Sequence, residues 1–199
     1  MCTDLTNRKS ILISIFTCQT SEFSNDILRE VREELLVGVD QERLEIKGSL
    51  NKEQRAGFNE IMDHVLNKKS QVFFVDGLGG TGKTFLYKAL LARVHSEGLI
   101  AIATATSGIA ASILPGGRTA HSMFKIPIKL ASNSMCNFTK QGGTAELLRR
   151  TSLLIWDEVA MTNRLAVECL DRSLQDIINC EMPFGGKVMV FGGDFRQFF

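Results

Sequence analysis

The sequence predicts an α/β fold, a doubly wound and largely parallel sheet with helices on both faces. Three observations predict it. From about residue 50 onward, short apolar runs alternate with stretches of helical period, the order that builds parallel βαβ units. Gly77-Leu78-Gly79-Gly80-Thr81-Gly82-Lys83-Thr84 is a complete G-x-x-x-x-G-K-[ST] phosphate-binding loop, set between an apolar run and a helical one. Ser152-Leu153-Leu154-Ile155-Trp156 is apolar with little alternation, reads as a strand buried on both faces, and ends in Asp157-Glu158.

The elements follow in order. Residues 1–48 form an N-terminal extension with no chemical signature. Within it Ile27, Leu28, Val31, Leu35 and Leu36 mark an amphipathic helix with a packing role. A turn at Gly48-Ser49 precedes a helix from Lys52 to Leu66, with Asn51 as its N-cap. Then come a strand over 72–75, a helix over 83–95 ended by Gly98, a strand over 99–105, and a short helix near 108–113. Between Ala131 and Thr144 the chain is polar, Gly-rich and without period, which predicts a surface loop. A strand over 152–157, a helix over 163–179 with Leu170, Leu174, Ile177 and Ile178 on one face, and a strand over 188–191 complete the order. Residues 49–199 are thus one predicted domain.

Composition narrows the class. The chain has 199 residues and 44% apolar content, enough for one substantial core and hardly two. A formal charge of +1 gives no bulk basic field, so any nucleic-acid contact must come from a local groove. Cys2, Cys18, Cys136, Cys169 and Cys180 are scattered, odd in number and form no C-x-x-C pair, which predicts reduced structural thiols suited to cytosol, nucleus or organelle matrix, and a protein that is not secreted. Ile11 to Cys18 follows Arg8 and Lys9 as a signal sequence would, but it is short and lacks an A-x-A cleavage site. Leu99 to Leu114 carries no charge, yet its Thr, Ser and Gly content argues against a membrane span.

The loop's residue types have physical reasons. Gly77, Gly79, Gly80 and Gly82 let the backbone turn and approach an anion, so that N–H groups of Leu78, Thr81 and the helix start point at phosphate oxygens. Lys83 supplies a cation, and Thr84 a hydroxyl for Mg²⁺, which favours few protein ligands plus phosphate oxygens and water. Asp157 stands at the end of its strand, where open α/β sheets place ligands, and is expected to hold the same Mg²⁺. Glu158 is expected to orient or deprotonate the water that attacks the γ-phosphoryl group in line.

Further segments line up around these two motifs. They are Asn51-Lys52-Glu53-Gln54, Thr104-Ala105-Thr106-Ser107-Gly108-Ile109-Ala110-Ala111, Thr119-Ala120-His121-Ser122-Met123-Phe124 and Gly192-Gly193-Asp194-Phe195-Arg196-Gln197. In this order the set resembles the petite-integration-frequency (Pif) family of superfamily-one 5′-to-3′ DNA helicases, from about Leu50 to Gln197. Ile155-Trp156-Asp157-Glu158 with Phe184-Gly185-Gly186-Lys187 looks most like the subgroup that includes helicases of Helitron transposons.

The resemblance implies a P-loop NTPase domain of RecA-like type, with ATP as substrate, Mg²⁺ as cofactor and single-stranded DNA as partner. It implies that Gln54 reads the adenine edge and that Gln197 senses the γ-phosphate from the strand beside the phosphate-loop strand. Asp194 and Arg196 would stand near it, Arg196 either in an ion pair or on a phosphate. Thr106, Ser107, Gly108, His121, Ser122 and Phe124 would line the DNA path, the polar groups bonding phosphates and Phe124 stacking on a base. The family continues with a Leu-Pro-Val turn and a second RecA-like domain. The sequence at hand is therefore expected to be incomplete relative to a two-domain helicase, to lack the arginine finger, and to be unable to unwind DNA alone. Roles in repair, recombination, telomere or transposon maintenance, and a nuclear or mitochondrial location, follow from the resemblance. A nucleotide- or DNA-binding remnant without a motor, and an unrelated P-loop ATPase, are the alternative readings.

Overall fold

The computed structural model describes residues 25–35, 50–194 and 196. In chain order the elements are α1 (Asn25–Leu35), α2 (Lys52–Leu66), β1 (Gln71–Asp76), α3 (Lys83–Ser96), β2 (Ile100–Ala105), α4 (Gly108–Ile113), β3 (Arg118–Thr119) and α5 (Ala120–Met123). They continue with α6 (Gly143–Arg150), β4 (Thr151–Asp157), a 3₁₀ turn (Val159–Met161), α7 (Arg164–Ile178), a second 3₁₀ turn (Pro183–Gly186) and β5 (Val188–Gly193). All strand pairings are parallel, in the order β1-β5-β4-β2-β3.

Strand alternation sends side chains to two cores. Leu153 and Ile155 of β4, Val188 and Val190 of β5, and Ala101 and Ala103 of β2 meet α2 and α3 through Phe58, Ile61, Leu86 and Leu90. Leu154, Trp156, Met189, Phe191, Ile100 and Ile102 face the other way, onto α6 and α7 through Leu147, Leu148, Leu170 and Leu174. The sheet is therefore covered on both faces, which is why β2, β4 and β5 read as continuous apolar runs. β1 lies at the edge, and its Val72 and Phe74 remain exposed on one face.

The predicted elements form close to their expected bounds. Asn51 accepts from Gln54 N–H at 2.8 Å while Gln54 returns a bond to Asn51 N–H at 3.1 Å, a complete capping box at the start of α2. Gly98 ends α3 at φ 72°, a left-handed turn that glycine adopts without a Cβ clash. Leu36 of the expected first helix, together with Cys2, Cys18 and the Ile11–Cys18 run, lies outside the described residues. The Val31 side chain of α1 joins the α6–α7 core, and Glu34, 3% exposed, meets Arg118 at 3.4 Å. No helix among the described residues is long and apolar enough to cross a membrane.

The segment expected as a surface loop is corrected in two ways. Its last residues open α6, which starts at Gly142-Gly143 with no side-chain cap and so carries no start signal in sequence. Within it Cys136 is buried, donating its N–H to Ser173 Oγ at 2.8 Å beside the Cys169 thiol, and burial pushes the Cys136 thiol up to about 12. Cys136, Cys169 and Cys180 are free. The two-residue β3 and the short α5 were too small to announce a period.

Candidate nucleotide and strand site

The phosphate loop leaves β1 at the sheet's carboxyl edge. Gly77 N–H donates to Gly193 O at 3.2 Å, tying the loop to the end of β5. Gly80 and Gly82 sit at φ 85° and 86°, a region that any Cβ would strain. No side chain caps α3, so its opening N–H groups are presented to the loop's ligand. Lys83 Nζ donates to the carbonyls of Gly77 and, at 3.2 Å, of Leu78. The ammonium is thus held inside the loop by neutral oxygens.

Gln54 lies over this loop rather than apart from it. Its Nε2 donates to Thr81 O at 3.3 Å, and a Cβ on Gly82 would come within 2.5 Å of that nitrogen. An amide has two donors and two acceptor lone pairs. The capping box and the Thr81 bond take one of each, leaving one of each for a ligand edge.

The acid pair ends β4. Asp157 is 8% exposed, and burial pushes its carboxyl above the ordinary aspartate range against the pull of the Glu158 N–H and the Lys83 charge. Its Oδ1 accepts from Glu158 N–H at 3.0 Å and from the Tyr87 hydroxyl at 3.5 Å. Tyr87 stands three residues beyond Thr84 on α3, one helical turn along, so the loop and the acid pair share one side of the sheet. Sequence reasoning missed Tyr87. The available signal was that the chain's single tyrosine follows Thr84 by one turn. Its hydroxyl fits because position 192 is glycine: a Cβ there would lie 1.9 Å from that oxygen.

Glu158 adopts φ 56°, ψ 31°, a left-handed conformation uncommon for a residue with a side chain. Thr106 Oγ1 donates to Glu158 O at 2.8 Å, and Ser107 Oγ donates to Glu158 Oε2 at 2.7 Å. The segment expected on a DNA path therefore touches the acid pair directly.

That contact corrects part of the expectation. The Thr106 hydroxyl also lies 2.6 Å from Thr162 Oγ1 and accepts from Trp156 Nε1 at 3.1 Å, so its bonding capacity is taken by protein. Phe124 is fully buried, 5.8 Å from the Trp156 ring, and offers no face for a base; it is core because β4 places Trp156 beneath it. Gly108, His121 and Ser122 are exposed, and Ser107 is half-buried. Arg196 pairs with Asp194 at 3.7 Å with most of its side chain in solvent. Gln197 lies outside the described residues, but β5, which leads to it, does neighbour β1.

A PIF1-like helicase family model matches residues 49–199. The chain belongs to the PIF1-like helicase family. It is 32% identical over 142 residues to the ATP-dependent DNA helicase PIF1 of Trypanosoma brucei brucei, covering 70% of this chain and 14% of that protein. To the PIF1 helicase of Danio rerio it is 32% identical over 155 residues, covering 77% and 23%. Among solved structures, a Bacteroides Pif1 helicase in complex with ADP-AlF3 and ssDNA matches at a TM-score of 0.59 and 32% identity, covering 73% of this chain and 32% of that one. The chain thus spans less than a quarter of those two curated family members and about a third of the solved one.

Proposed function

We propose that the chain is the ATP-binding domain of a DNA helicase motor, which hydrolyses ATP in response to single-stranded DNA. The observation that carries the reading is the Tyr87–Asp157 bond, which draws the phosphate loop and the acid pair to one side of the sheet. The backbone N–H groups at the start of α3, with those of the loop glycines and the Lys83 ammonium, take the β- and γ-phosphates, while the Thr81 N–H is donated to Leu78 O at 3.3 Å. Gln54 offers its remaining donor and acceptor to the adenine edge. Glu158 orients the attacking water and receives its proton, and Gln197 senses the γ-phosphate.

Magnesium fits the donor set, which consists of hard oxygens: the Thr84 hydroxyl and the Asp157 carboxylate, whose described bonds all fall on Oδ1 and leave Oδ2 to a cation's water shell. When bound it would neutralise charge developing between the last two phosphates. His121, Ser122, Gly108 and Ser107 are the strand contacts this reading retains. The Helitron-like subgroup and a nuclear location belong to the same proposal, on the resemblance.

The test is nucleotide binding and turnover. The parent should bind a fluorescent ATP analogue in a Mg²⁺-dependent way and hydrolyse ATP faster with an oligodeoxynucleotide. Glu158→Gln should bind the analogue and lose turnover by about 10² or more. Turnover indifferent to the oligonucleotide would overturn the strand-coupled reading and leave a plain ATPase.

A further inference from the structure

The Ser107 hydroxyl has one proton and stands between two functions. Its oxygen accepts from Ala110 N–H at 3.2 Å, as the N-cap of α4. Its proton goes to Glu158 Oε2 at 2.7 Å. Glu158 is otherwise fixed through its backbone: its carbonyl accepts from Thr106 Oγ1 at 2.8 Å and from Met161 N–H at 3.1 Å, and its N–H reaches Asp157 Oδ1. These bonds hold the residue in its left-handed conformation. Ser107 is the side chain that settles where the carboxylate itself points.

We infer that Ser107 is a positioning residue for the Glu158 carboxylate, and that a strand phosphate bonded at Ser107 changes the setting of that carboxylate. This rests on the reading of the site as a strand-coupled ATPase. A phosphate oxygen, like a carboxylate oxygen, is an acceptor, and one hydroxyl proton cannot serve both at full strength. Occupancy of the strand path and the Ser107–Glu158 bond are therefore alternatives. Ser107 is suited to this where Thr106 is not, because the Thr106 hydroxyl is enclosed by Trp156, Thr162 and Glu158. Ser107 is half-buried, beside exposed Gly108 and an Ile109 that is 80% exposed, within reach from solvent. The distance from strand to hydrolytic carboxylate is then a single hydroxyl group.

The experiment measures ATP turnover by the full-length polypeptide at saturating Mg²⁺ and ATP, with and without an oligodeoxynucleotide, for the parent, Ser107→Ala, Ser107→Gly and Ser107→Thr. The ratio of stimulated to basal turnover should fall about fivefold or more in the Ala and Gly variants, as expected when a coupling between two sites is removed. KM for ATP should stay within about twofold of the parent, because uniform substrate binding is untouched. Ser107→Thr, which keeps the hydroxyl, should restore the ratio. Glycine replaces a serine cap at little cost, so the Gly variant separates coupling from folding if Ser107→Ala melts early. A stimulated parent whose Ala and Gly variants keep the parental ratio would overturn this inference and leave the ATPase reading standing. A parent that the oligonucleotide does not stimulate would overturn both.

Discussion

The phosphate loop was read from residue types and spacing, the segment from Thr106 to Phe124 from the family resemblance, and the two behave differently in the fold. The loop's chemistry belongs to its backbone: left-handed glycines at 80 and 82, an uncapped helix start, and a lysine curled onto the loop's own carbonyls. Those features are local, so residue type and spacing carry them. The second segment works through side chains, and the fold decides which of these remain available. Trp156, Thr162 and Glu158 enclose Thr106, the α6–α7 core claims Phe124, and Ser107 bonds Glu158 while staying half-open to solvent. The lesson is that a motif built on backbone geometry transfers from sequence to structure more directly than one built on exposed side chains.

The largest effect that sharpens this contrast is expected at Phe124. Truncating a fully buried ring to Ala costs about 3–5 kcal/mol, so Phe124→Ala should lower the melting temperature by roughly 10 °C. A stable Phe124→Ala protein with weakened oligonucleotide binding would instead return Phe124 to the strand path. Next in size is Lys83→Ala, which removes a charged partner of phosphate and should weaken Mg²⁺-dependent ATP binding by about 10- to 100-fold with little change in melting. Equilibrium titration with a fluorescent analogue measures it, and unchanged affinity would break the backbone-loop half of the comparison.

Lys187 comes third, a residue of the Phe184–Lys187 motif whose charge the fold has drawn inward. Its Nζ donates to Arg149 O at 2.6 Å and Thr151 O at 2.8 Å, and burial lowers its pKa to about 8 from an ordinary 10.5. The folded state therefore loses this proton before the unfolded state does. The cost of holding the charge is present in full below pH 8 and is relieved as pH rises toward 10.5, on the order of 2 kcal/mol after allowance for partial exposure. Denaturant melts of the parent and Lys187→Met across that window should show the parent gaining stability relative to the variant. Titration of the Cys136 thiol is common to both proteins and cancels. A flat difference would mean that Lys187 is solvated. The smallest effects belong to His121→Ala and Ser122→Ala, exposed positions where loss of one phosphate bond should weaken oligonucleotide binding by about 2- to 10-fold and leave melting unchanged.

Much of the fold was legible because the α/β period is strong. Four of the five strands, the helices α2, α3 and α7, the Asn51 cap and the Gly98 stop were all readable from pattern. α6 was not, because Gly142-Gly143 provides no cap signal and the eight-residue helix hides behind a polar loop. β3 was not, because two residues make no alternation.

The sequence by itself carried the expectation of a triphosphate ligand, because glycines, a lysine and a threonine at fixed spacing shape a loop whose main-chain donors are local. It also determined that an acid pair would stand at a strand end. Only the tertiary structure decided that Tyr87 anchors Asp157 over the glycine at 192, that Glu158 bends into a left-handed turn, and that Ser107 holds its carboxylate. Those contacts join residues 51 to 105 positions apart. Spacing along the chain carries no information about which hydroxyl meets which carboxylate once the sheet has brought them together.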